Sequence, residues 1–225
     1  MSFRLFESRE DAGLRLAGQL AALPLKDPLV LAIPRGGIDV AAPIARALGA
    51  ELDVVLSRKL RSPDQPELAL GAVSESGEVY LGNHAGIHPR EYGGDYIARE
   101  HAHQMAEIAR RASLFREVRP PALVAGRSVV LVDDGIATGS TMIAALKTIR
   151  ARNPLELIVA VPVAPQDRID EVGALADRVV CPLVPDVFWA VGEFYRHFPP
   201  VSDERVVAVL RAFNPRDGGA RASAA

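Results

Sequence analysis

A single cysteine, Cys181, stands among the 225 residues, so no disulfide can form within the chain. It lies in an apolar run, Arg178-Val-Val-Cys-Pro182, which reads as a packed structural thiol and not as a nucleophile. No apolar stretch approaches the roughly 20 residues that a membrane-spanning helix needs. Arg4, Glu7, Arg9, Glu10 and Asp11 interrupt the first residues, where a signal peptide would be uniformly apolar. A cytoplasmic protein without a membrane partner is expected. Charge of one sign is lacking too: 26 basic residues face 28 acidic ones, and no basic block occurs. Nucleic-acid affinity rests on clustered cations that meet phosphates, so a nucleic-acid partner is not expected.

What the chain has is apolar material, 49% of its residues, enough for a sizeable core. It comes as unbroken apolar runs alternating with amphipathic stretches and no internal repeat. Runs at 29–33, 52–56, 128–132, 156–163 and 178–183 read as strands covered on both faces. Between them lie helices. Ser8 can cap the first, with Leu14, Ala17, Leu20 and Leu23 on one face. The second runs to about Leu48 and stops at Gly49; Pro43 inside it predicts a late start or a kink. Met142, Ile143, Leu146 and Ile149 mark a third helix, and 166–175 a further one. A final helix is capped by Ser202, with Val206, Val207, Leu210 and Phe213 inward. This alternation predicts an α/β fold with a central parallel sheet flanked by helices, in a single domain over 1–213. The tail from 214 to 225, rich in Gly, Ala and Arg, is expected to be disordered.

Two segments depart from that rhythm. Residues 60–82 are turn-rich, and Ala69–Val73 and Glu78–Leu81 flank Ser74-Glu-Ser-Gly77 as in a hairpin. Residues 88–118 read as a helical insertion with Ile97, His101, Met105, Ile108, Ala112 and Phe115 along one stripe. His101 belongs to that stripe, and His103, two residues on, faces elsewhere, so they make no metal pair. Arg110, Arg111 and Arg116 read first as a solvated face and second as a lining for an anion crevice.

The chemistry concentrates at Val129-Val-Leu-Val-Asp-Asp-Gly-Ile-Ala-Thr-Gly-Ser-Thr-Met142. A buried strand stops on two carboxylates, Asp133 and Asp134, and a small-residue turn then opens a helix. Small residues let backbone N–H groups converge on an anion, and a helix start leaves unpaired donors. Gly135, Ala137, Thr138, Gly139, Ser140 and Thr141 therefore suit a phosphate. Two carboxylates would repel it, so Asp133 and Asp134 are better used beside it, on sugar hydroxyls or a cation. Lying at a strand's solvent end, they should be replaceable without cost to the fold. A second anion site is suggested by Arg35 with the amides of Gly36 and Gly37, and by Lys59 one strand over. No Gly-Lys-Ser/Thr follows the turn, which excludes a nucleoside-triphosphate P-loop.

This stretch resembles the signature of the type I phosphoribosyltransferases, in particular the stand-alone phosphoribosyltransferases of bacteria. The resemblance implies phosphoribosyl pyrophosphate as ligand, with its ribose diol on Asp133 and Asp134 and its 5′-phosphate in the turn. Ile33-Pro-Arg-Gly-Gly37 resembles the family's pyrophosphate loop, and Lys59 stands where the family often places a cation. Magnesium would be held through substrate oxygens and not by a direct protein site, with Asp133 and Asp134 the carboxylates that could join it. The segment 60–82 falls where the family folds a flexible loop over its substrate. Pro185-Asp-Val-Phe-Trp-Ala-Val-Gly192, within 183–200, is similar to the hood that stacks the base in purine-using members. Phe188 or Trp189 would supply the ring, or both are core aromatics; the residues alone leave this open. One position departs from the pattern. Hypoxanthine–guanine enzymes carry an Asp where this chain has Ala137, and Glu193 and Glu67 are the remaining candidates for a general base. The resemblance implies an enzyme that transfers ribose 5-phosphate to a nitrogenous base or other nitrogen nucleophile. The alternative is a non-catalytic regulatory binder of phosphoribosyl pyrophosphate or a nucleotide. A hydrolase or kinase-like enzyme acting on ribose phosphates is a weaker third reading, and a homo-oligomer is left open.

Overall fold

The computed structural model describes residues 6–63, 69–81 and 93–213. Its elements begin with α1 (Arg9–Leu20), β1 (Leu29–Ala32), α2 (Gly37–Leu48), β2 (Glu51–Val54), β3 (Ser57–Arg61), β4 (Ala69–Ser74) and β5 (Val79–Leu81). They continue with α3 (Gly93–Arg116), β6 (Ser128–Val132), α4 (Ser140–Arg150), β7 (Glu156–Ala160), α5 (Gln166–Gly173), β8 (Arg178–Val180) and α6 (Asp203–Ala212). Five strands form a parallel sheet in the order β2-β1-β6-β7-β8, and β3-β4-β5 form a separate antiparallel sheet. The parallel sheet flanked by helices is the expected architecture.

The unbroken apolar runs divide by alternation, since successive side chains leave a strand on opposite faces. Val30, Ala32, Val130, Val132, Ile158 and Ala160 pack on one side with α1, α2 and α6. Leu29, Leu31, Val129, Leu131, Leu157 and Val159 pack on the other with α4 and α5. Because the strands are parallel, their carboxyl ends share one edge, and β1, β2 and β6 are immediate neighbours there.

Several boundaries differ from the sequence reading, each for a physical reason. The run 156–163 leaves the ladder at Ala160: Val161 still donates to Val180, Pro162 has no N–H, and Val163 makes only an isolated bridge to Leu183. The strand expected over 178–183 ends at Val180, two residues before Pro182. The strand expected over 52–56 is Glu51–Val54, and Ser57-Arg58-Lys59 are not its end but the start of β3. In α1, Ser8 caps by accepting from the Asp11 N–H at 3.3 Å, but the inward face is Ala12, Leu16, Ala17 and Leu20, and Leu14 is exposed. Helix α2 neither starts late nor breaks; it runs through Pro43 and stops at Gly49, whose φ is +58°. The insertion stripe is as spaced, with Ile108 and Phe115 buried, while residues 88–92 lie outside the described ones. The same holds for 64–68 within the hairpin segment and for the tail from 214.

Candidate active site

Two carboxylates close the end of β6. Asp133 Oδ1 accepts the Asp134 N–H at 2.9 Å. Asp134 is not free at a solvent end, as the sequence suggested: its Oδ2 lies 2.7 Å from Arg9 Nε, and the Tyr195 hydroxyl donates to its carbonyl at 2.6 Å. Arg9 is itself set from three sides. It also donates from Nη1 to the Pro199 carbonyl at 2.7 Å, and its guanidinium lies 3.7 Å from the centre of the Phe198 ring. Burial, and then the neighbouring Asp134 charge, push the Asp133 carboxyl well above the usual carboxylate range. Burial raises Asp134 as well, although Arg9 works against it. The pair therefore favours a partner that supplies hydroxyl donors or positive charge.

The loop after β1 presses directly against this pair. The Pro34–Arg35 peptide is cis. A Cβ at Gly36 would fall 1.9 Å from Asp134 Oδ2, and one at Gly37 would fall 2.7 Å from the Val132 carbonyl. Only glycine permits that approach. Beside the loop, Arg35, Lys59 and Thr141 line one cavity of about 340 Å³, together with Arg58, Arg61, Gln104, Glu107 and Arg111. Two of the sequence-predicted cations and the end of the phosphate-suited turn thus share a space.

The turn leads into α4, with Gly139 as N-cap at φ +78° and no side chain capping the helix. Ala137, Thr138 and Thr141 are exposed, and Thr138 Oγ1 reaches Ser140 Oγ at 3.5 Å. Gly139 is needed for its backbone and not for space: an added Cβ would meet nothing nearer than 3.6 Å, but a side chain rarely adopts that φ. The segment after β8 folds back onto the acid pair, because Gly135 leaves room for Val191, 2.7 Å from where a Cβ would sit. Phe188 stacks on Phe194 with centroids 5.3 Å apart, so it belongs to the packing there. Trp189 is 81% exposed. Glu193 is exposed on the 3-10 turn Val191–Phe194, and Glu67 lies outside the described residues.

Three features were not legible locally. Arg9 sits among charges in a first helical turn, and its partner is 125 residues away. Tyr195 and Gln104 have no motif around them. The arginines of α3 do not form a common solvated face: Arg110 pairs with Asp203, Arg111 lines the cavity, and Arg116 is held, half-buried, between Asp53 and Glu75. Other readings are plainer. Cys181 Sγ lies 3.3 Å from the Leu183 carbonyl, and burial pushes its pKa to about 11, which suits a packed thiol. His101 Nε2 lies 3.2 Å from the Gly77 carbonyl. Among the described residues no group of three or more His, Cys, Asp or Glu could hold a metal ion, and no helix is long and apolar enough to cross a membrane.

The chain matches the family described as "Phosphoribosyl transferase domain" over residues 7–198. Two Mycobacterium tuberculosis proteins, provisionally named phosphoribosyl transferases, are each 44% identical over 209 residues, which is 92% of this chain and 46% of theirs. The crystal structure of TT1426 from Thermus thermophilus superposes with a TM-score of 0.87 at 46% identity, over 93% of this chain and 99% of that one. A ribose-phosphate pyrophosphokinase of Methanopyrus kandleri is 33% identical over 124 residues, 48% of this chain and 43% of its own. The chain belongs to the phosphoribosyltransferase family and has its type I fold. It spans about half the length of the mycobacterial relatives it matches.

Proposed function

We propose that this chain transfers ribose 5-phosphate from magnesium-bound phosphoribosyl pyrophosphate to a nitrogenous base or another nitrogen nucleophile, releasing pyrophosphate. One observation carries the reading: the half-buried acid pair Asp133–Asp134 lies in contact with the Gly36–Gly37 loop and directly before the Gly135–Thr141 turn. A ribose placed on the carboxylates would thus have an anion site on either side.

In this reading the N–H groups and hydroxyls of 137–141 hold the 5′-phosphate, and Asp133 and Asp134 accept the ribose hydroxyls. Their charge also favours the positive character that develops at the anomeric carbon as the C–O bond to pyrophosphate breaks. Arg35 and Lys59 take up the charge of the leaving group. The pair fits magnesium, since two half-buried carboxylates with raised pKa gain from a cation, whereas the described residues offer no all-protein cage. Magnesium, held through substrate oxygens with Asp133 and Asp134 nearby, would neutralise the pyrophosphate. Trp189, with its ring open to solvent, is the better candidate of the two aromatics to stack an acceptor base.

The test is incubation with magnesium and phosphoribosyl pyrophosphate against a panel of bases and amines, following pyrophosphate release. Release with at least one acceptor supports transfer; tight binding without release under any acceptor would favour the regulatory binder. The two anion sites separate by mutation. Lys59→Ala should weaken pyrophosphate and phosphoribosyl pyrophosphate by about tenfold to a hundredfold, because a charge-assisted contact contributes about 1.5–3 kcal/mol, and should spare ribose 5-phosphate. Gly139→Val should weaken ribose 5-phosphate and phosphoribosyl pyrophosphate and spare pyrophosphate, by straining the backbone at φ +78°. Calorimetry of two variants against three ligands decides it, and equal losses everywhere for Lys59→Ala would refute the division.

A further inference from the structure

The cavity beside the Arg35 loop holds more positive charge than Arg35 and Lys59 alone. Arg58, Arg61 and Arg111 line it as well, and Glu107 is the single carboxylate on its wall among the described residues. Two of these arginines are placed rather than loose. Arg58 is fixed by its Nε donating to Gln104 Oε1 at 2.9 Å. Gln104 is 1% exposed and donates in turn to Glu100 Oε1 at 2.9 Å, so the orienting amide is locked on α3. Arg111, two turns further along the same helix, has its Nε buried without a hydrogen-bond partner among the described residues. A buried guanidinium N–H left unmet is costly unless an acceptor arrives.

We propose that Arg58 and Arg111 bind the far phosphate of the pyrophosphoryl group, so that α3 supplies the outer wall of the leaving-group site. This rests on the function proposed above and adds two residues and a helix to it. Cations crowded into a half-buried cavity repel one another and need an anion to settle. Burial, followed by the charge of Arg111, already lowers the Arg58 pKa. The cavity, at about 340 Å³, offers room beyond a single phosphate. Guanidinium groups bind phosphate oxygens in a planar fork, and a partly dehydrated wall strengthens each such bond. Arg110, the neighbour of Arg111 on the helix, is excluded from this role because it is half exposed and paired with Asp203 at 3.2 Å.

The experiment is calorimetric titration of inorganic pyrophosphate and, separately, ribose 5-phosphate into the full chain and into R111Q, R58Q and R110Q. R111Q and R58Q are expected to weaken pyrophosphate by about tenfold or more while leaving ribose 5-phosphate within twofold, and R110Q should leave both within twofold. Should R58Q lose its fold with the Gln104 contact, R111Q carries the test alone, since Arg111 Nε has no partner to lose among the described residues. Unchanged pyrophosphate affinity in R111Q overturns the inference. A wild-type chain that binds pyrophosphate but not ribose 5-phosphate would overturn the transferase reading and leave the arginine wall standing as a polyphosphate site.

Discussion

Asp133→Asn is expected to raise the melting temperature of the ligand-free protein at pH 7 and, in the same molecule, to weaken magnesium-dependent phosphoribosyl pyrophosphate by about tenfold to a hundredfold. The two effects have one cause. Burial and the Asp134 charge raise the Asp133 pKa in the folded chain. An unfolded Asp titrates near ~3.9. As pH rises through that value the unfolded chain loses its proton first, so the folded state loses stability relative to it. The penalty is complete once pH exceeds the folded pKa. Asparagine removes the penalty, and it also removes the charge and replaces one of the two acceptor oxygens offered to the ribose by an N–H donor. The gain in melting temperature should therefore shrink toward zero as pH falls below about 4, and it should be absent if Asp133 titrates normally in the fold. Roughly 2–4 °C corresponds to each kcal/mol in a domain of this size. Asp133 is the better test than its neighbour, because replacing Asp134 also breaks the contact to Arg9.

Arg116→Met should have the largest effect on stability, and in the opposite direction. Arg116 Nη1 lies 2.7 Å from Asp53 Oδ1, its Nε lies 2.7 Å from Glu75 Oε1, and its Nη2 donates to Glu75 Oε2 at 2.8 Å. Burial opposes its charge, yet the bonds to Glu75 and the charge of Asp53 more than offset this and raise its pKa. Asp53 is 2% exposed and also accepts the N–H groups of Val54 and Ala122. Removing the arginine strands that carboxylate, and breaking a buried pair costs about 3–5 kcal/mol. Domains have roughly 5–15 kcal/mol in all, so the melting temperature should fall by about 10 °C. The network also ties the end of α3 to β2 and to the β4–β5 hairpin, so the loss should appear as global unfolding. Arg110→Met, whose pair with Asp203 is half exposed, should shift the transition by less than about 1 kcal/mol. A shift for Arg116→Met as small as that would contradict the role given to the network.

The parallel sheet and the acid–turn–helix motif could be read from the chain because each is written in consecutive residues. Val129 to Val132 declare a buried strand, Asp133 and Asp134 its end, and Gly135 to Thr141 a turn into a helix. Strand β3 was hidden for the converse reason. Ser57-Arg-Lys-Leu-Arg61 turns one apolar residue, Leu60, into the core and looks polar in isolation. Arg9, Tyr195 and Arg116 act through partners 125, 61 and 63 residues away, and such pairings leave no local trace. The hood aromatics show a third kind of limit. Phe188 and Trp189 are adjacent and chemically alike, and only the packing on Phe194 separates the partly buried ring from the exposed one.

The central claim, that one crevice holds a ribose between two anion sites, is tested most directly by competition. Magnesium-bound phosphoribosyl pyrophosphate is titrated into the protein alone, in the presence of ribose 5-phosphate, and in the presence of pyrophosphate. The account predicts that each fragment weakens phosphoribosyl pyrophosphate by competition and that the two fragments can occupy the protein together. Phosphoribosyl pyrophosphate binding that neither fragment diminishes would contradict it.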